Sequence, residues 1–145
     1  MPELIGNTLP PPLRFALGNI AQTTVANAAL LISVDDDGCP RVAVLAAAEV
    51  AVPQPSSLRV RLNAGTRSWH NVRSGRPCLV WCVLDAAGYS VCTRIASGQD
   101  GGSARKAEAA TDEAATAVIE LAIESVWRDF NPEAPLLSGP TYRRV

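Results

Sequence analysis

The chain is sparing with the residues that most side-chain catalysis needs. Among 145 residues there is one histidine, His70, and no Ser, Cys or Asp is patterned around it as a triad, so a structural or solvent-facing role is the simpler reading. Cys39, Cys78, Cys82 and Cys92 form no C-x-x-C pair. Three of them lie in apolar strand-like runs, where a reduced thiol packs as a small hydrophobe, which argues against a metal or redox dithiol site. Aromatic residues make up 5% of the chain, whereas single-strand nucleic-acid binders interleave aromatics with their basic residues. No uncharged apolar run reaches the roughly 18 residues of a membrane span. The opening MPELIGNTLPPPLRF lacks the basic start and apolar core of a signal peptide, so no membrane association and a cytoplasmic location are expected.

Charge is short in a more local way. The net charge is -1, too small for a global field toward nucleic acid or an anionic membrane. Yet no Asp or Glu occurs between Glu49 and Asp85, while Arg59, Arg61, Arg67, Arg73 and Arg76 all fall in that interval. Lys106 is the one lysine against twelve arginines, which a GC-rich genome explains as readily as a demand for bidentate anion contacts. The arginines read as a positive patch unpaired in sequence.

With 48% hydrophobic and 19% charged residues, the chain lies in the globular range. Its length fits one domain, 1–145, with a core over about 25–130, an N-terminal arm over 1–24 and an extended tail over 130–145. Residues 28-AALLISV-34 and 39-CPRVAVLAAAEVAV-52 flank 35-DDDG-38, a hairpin signal in which Gly38 takes the positive φ of the turn. The second run stops at 53-PQPS-56. In 57-SLRVRLN-63, Leu58, Val60 and Leu62 share the core face, with Arg59, Arg61 and Asn63 opposite; Arg59 and Arg61 read first as a solvated face. Gly65 breaks that strand, Thr66 caps a helix of about two turns, and Gly75 ends it. Trp69 and Trp81 are assigned to the core.

Strand 78-CLVWCVL-84 is apolar on both faces and therefore central, and 85-DAAG-88 turns the chain into 89-YSVCTRIAS-97. Segment 104–116 has helical propensity without large apolar side chains and is expected to be a loose helical or irregular excursion. Segment 117–129 fits either helix or strand; its β-branched content favours strand. Six strands of this kind close most economically into a small barrel.

Two stretches, 28-AALLISVDDDGCPRVAVL-45 and 58-LRVRLNAGTRSWHNVRSGRPCLVWCVLD-85 with its Asn71-Val72 pair, resemble the pyridoxamine 5'-phosphate oxidase-like family of FMN-binding split β-barrel proteins. The resemblance implies a mainly β fold, a six-stranded split β-barrel with a short helix after the third strand. It also implies a homodimer, with cofactor sites between subunits, and an FMN-dependent oxidoreductase acting on a small molecule. By the same resemblance the flavin phosphate falls on Asn63, Thr66, Arg67 and Ser68. Such an anion suits the end of a helix, two hydroxyls and a guanidinium. Arg41, Val42 and Ala43 flank the ring or ribityl chain. Where many relatives carry lysine this chain has Ser68, leaving Arg59 or Arg61 to supply charge. A deazaflavin or haem could replace FMN in the same barrel, and no catalytic side chain is singled out, since such a cofactor carries the redox chemistry. The alternatives are a cofactor-free dimeric barrel serving as a binding or scaffold protein and a small barrel that binds nucleic acid through its arginines.

Overall fold

The structure, a computed structural model, describes residues 2–18, 25–46, 49–96, 116–137 and 139–143. Strands β2 (Val25–Val34) and β3 (Pro40–Ala46) form the expected first hairpin. Its turn is held by the Gly38 N–H donating to the Asp35 carbonyl at 2.9 Å, with Gly38 at φ 87°, a conformation that favours glycine. The apolar run 39–52, read above as continuous, divides: β3 ends at Ala46 and β4 (Val50–Gln54) lies at the opposite end of the sheet. Pro53 is tolerated within β4 because an edge strand has one side that needs no donors.

Strand β5 (Ser57–Asn63) alternates as its sequence predicts, with Leu58, Val60 and Leu62 buried and Arg59, Arg61 and Asn63 exposed. Helix α2 (Arg67–Arg73) follows, and then the second hairpin, β6 (Cys78–Leu84) with β7 (Ala87–Ile95). That hairpin turns on Asp85 and Ala86, both at positive φ (49° and 66°), the backbone of a two-residue turn whose twist matches the flanking strands. Segment 117–129 is a strand: β8 (Thr116–Asp129) buries Ala117, Ile119, Leu121 and Ile123 at every second position. It pairs with β7 along one edge and β5 along the other, a role that a helix could not fill.

The strands run antiparallel in the order β3-β2-β6-β7-β8-β5-β4. The outermost strands, β3 and β4, do not pair, so the sheet curls around its core as a split barrel with an open seam. Three further strands or helices lie where arms were expected. Residues 1–24 contain β1 (Pro2–Gly6), paired with β8, and α1 (Pro11–Gly18). Leu13 and Leu17 of α1, with Leu9 just ahead of it, are buried at four-residue spacing, and its prolines fall in the first turn, where their missing donors cost little. The tail contributes β9 (Thr141–Arg143), paired with β2. Six strands were expected and nine form among the described residues, because β1, β4 and β9 are short and take their stability from the strands they join. The excursion expected over 104–116 lies outside the described residues up to Thr116, which opens β8. No described helix is long and apolar enough to cross a membrane.

Candidate functional site

The open seam places β3 beside the end of β5 and the start of α2. Between them lies a cleft of about 160 Å³ lined by Ala43, Val44, Leu45, Glu49, Arg61, Leu62, Asn63, Thr66 and Ser68. Five residues singled out in sequence, Ala43, Arg61, Asn63, Thr66 and Ser68, therefore meet here. Ser68 is a largely buried residue that lines the cleft, and its hydroxyl makes no hydrogen bond to any of the other described residues. Arg61 likewise has no carboxylate partner among them. Glu49 brings a negative charge to the same cleft, with its Oε1 accepting from the Ala46 N–H at 2.8 Å.

Thr66 lines the cleft and also caps the helix. Its Oγ1 donates to the Asn63 carbonyl at 2.8 Å and accepts from the Trp69 N–H at 3.3 Å. This is an N-cap whose hydroxyl proton is already committed.

On the far side of α2 the other candidates gather around a carboxylate. Asp35, buried at the turn of the first hairpin, accepts from Arg41 Nη2 at 2.8 Å and Nε at 3.1 Å, from Asn71 Nδ2 at 2.8 Å and from Arg67 Nη1 at 3.3 Å. The Arg41 and Asn71 hydrogen bonds, aided by Arg67 and opposed by burial, hold its carboxyl well below the usual range. Asn71 also donates to Ser33 Oγ at 3.2 Å. The Asn71-Val72 pair is thus a structural tie, with Asn71 linking α2 to the first hairpin while Val72 enters the core.

These contacts correct the charge reading. Arg41 and Arg67 both belong to Asp35, Arg76 pairs with Asp36, and Arg59 pairs with Glu120 at 2.6 Å. The partners lie outside the acid-free interval, which is why the arginines read as unpaired. Arg67 is 69% exposed along its side chain and lines a second hollow, about 340 Å³, with Asp35, Asp36, Asp37, His70 and Asn71. Three carboxylates make that hollow a poor place for a phosphate. Val42 is 57% exposed and lies on the outer face, since residues along a strand alternate sides. Trp69 is buried as expected, with Arg73 over its ring at 4.6 Å and His70 edge-on at 4.7 Å. Trp81 faces outward, partly exposed, opposite Leu30.

The outer face is strongly apolar. Strand register sets Val44, Leu30, Trp81, Ser90, Trp127 and Leu4 side by side across six strands. Val42, Ile32, Leu79 and Cys92 form the next row. Val44, Trp127 and Leu4 are all exposed large hydrophobics, and Val44 also lines the cleft.

No family model and no curated protein matches this sequence. Solved structures do. A proposed pyridoxamine 5'-phosphate oxidase from Lactobacillus delbrueckii superposes with TM-score 0.63 at 23% identity, over 87% of this chain and 98% of that one. The HupZ protein of Group A Streptococcus gives 0.59 at 14%, over 83% and 98%. An FMN-binding protein from Syntrophomonas wolfei gives 0.54 at 13%, over 81% and 83%. The chain therefore has the split β-barrel fold of pyridoxamine 5'-phosphate oxidase-like and FMN-binding proteins.

Proposed function

We propose that this chain binds FMN in the seam cleft and acts, as a two-fold homodimer, as an oxidoreductase on a small molecule. The observation that carries the reading is Ser68. Its side chain lines the cleft beside Arg61 and Asn63 and makes no hydrogen bond to another described residue, so its hydroxyl is available to a ligand oxygen. A phosphate fits the rest of the donor set: Asn63 offers an amide and Arg61 a guanidinium, while the small side chain of Ala43 leaves room along β3. The FMN-binding neighbour supports a flavin in a barrel of this shape.

Bound FMN would supply hydride or electron transfer, and no nucleophile or metal is required of the chain. Its own residues would anchor the phosphate and exclude water. A single chain does this incompletely, because 160 Å³ falls short of the roughly 300–1,000 Å³ of ordinary cofactor and ligand sites. A second copy laid on the outer apolar face, which reaches the cleft at Val44, would enlarge and close it.

The test is a titration of apoprotein with FMN and with riboflavin, followed by flavin fluorescence. FMN is expected to bind, and riboflavin, lacking the phosphate, to bind more weakly by tenfold or more. A protein that binds neither flavin is instead the cofactor-free scaffold, and equal affinity for both removes the phosphate from the cleft.

A further inference from the structure

We propose that Arg61, and not Arg67 at the start of the helix, is the cation that receives the phosphate. The assignment rests on the flavin reading and concerns which residue gives the site its selectivity for a phosphorylated ligand. Two guanidiniums lie within reach of the β5–α2 junction, and the structure divides them. Arg67 turns to Asp35 and lines a hollow walled by Asp35, Asp36 and Asp37, so a dianion following Arg67 would enter the field of three carboxylates. Arg61 lines the cleft that holds Asn63 and the unpartnered hydroxyl of Ser68.

The neighbours of Arg61 are occupied. Arg59, two residues earlier on the same face of β5, is held by Glu120, and Arg76 by Asp36. On the β8 side Arg61 faces Val118, which offers no charge, and on the other side the register of β4 brings Glu49 beside it. Arg61 makes no ion pair with another described residue, which leaves its guanidinium available to an incoming anion. Glu49, beside Arg61 in the same cleft, opposes an anion there. The same geometry therefore assigns Glu49 a role as the residue that limits phosphate affinity.

The experiment titrates wild type, Arg61→Gln, Arg67→Ala and Glu49→Gln with FMN and riboflavin at low and moderate salt, with a thermal melt of each. Arg61→Gln is expected to weaken FMN about ten- to a hundredfold, to leave riboflavin unchanged and to flatten the salt dependence of FMN binding. Arg61→Lys should recover part of the loss. Arg67→Ala should stay within about threefold of wild type, and Glu49→Gln should bind FMN more tightly. If Arg67→Ala weakens FMN by tenfold or more while Arg61→Gln does not, the assignment is overturned and the flavin reading stands. If wild type binds neither flavin, both are overturned.

Discussion

Val42 provides the cleanest test of the second copy, because it lies on the outer face without lining the cleft. In the isolated chain it is 57% exposed. Burying a whole valine side chain is worth about 1.5–3 kcal/mol, and each CH₂ about 0.8. Docking that covers the exposed part of Val42 would therefore return about 1 kcal/mol per subunit for the two methyls that Val42→Ala removes. A two-fold interface contains the residue twice, so the variant should lose about 2 kcal/mol of association, a dissociation constant roughly thirtyfold weaker. Val42→Asp should go further. It would bury an unpaired carboxylate, at several kcal/mol for each subunit, and leave the protein monomeric at micromolar concentration. The monomer itself should be little affected, since the position is solvent-facing on an edge strand. Sedimentation over a concentration series reads the association, and thermal melting checks the fold. A dissociation constant unchanged by Val42→Ala together with a dimeric Val42→Asp would place the interface elsewhere. A wild type that sediments at 15.3 kDa at tens of micromolar, with and without FMN, would remove the dimer.

Two further predictions concern the described side chains. Asp35 has a folded-state pKa depressed by Arg41, Asn71 and Arg67. Its stabilisation is full above the ordinary unfolded value near 4 and fades as pH falls toward the folded one, because the unfolded carboxyl binds a proton that the folded one refuses. Urea midpoints should thus fall between pH 5 and pH 3 more steeply in wild type than in Asp35→Asn, and equal slopes would refute the network. The thiols should separate by burial: desolvation pushes Cys82 up to about 12 and raises Cys78, whereas Cys39 is exposed. Iodoacetamide at pH 8 should modify Cys39 in the native protein and reach Cys82 only in denaturant. Mass spectrometry showing both labelled at one rate would contradict the packing of β6.

Short-range patterns carried much of the architecture. Period-two alternation over 57–63 placed Leu58, Val60 and Leu62 in the core, the acidic turn before Gly38 set the first hairpin, and β-branched residues marked β8 as a strand. Other elements were legible but went unread. The four-residue spacing of Leu13 and Leu17, continued back to Leu9 just before the helix, signals the buried face of α1. Strands β1 and β9 carry no such signal: three to five residues have too little pattern of their own, and they exist because β8 and β2 offer edges.

What the sequence determined by itself was the set of local shapes, since periodicity, turn chemistry and capping act over a few residues. Which charges were free, only the tertiary structure decided. Asp35 is 32 residues from Arg67, and Glu120 is 61 from Arg59. A chain devoid of acids between Glu49 and Asp85 acquires its counter-ions when the curled sheet brings those distant carboxylates alongside. What then remains at the seam is Arg61, without an ion pair among the described residues, set by register between Val118 on β8 and Glu49 just ahead of β4.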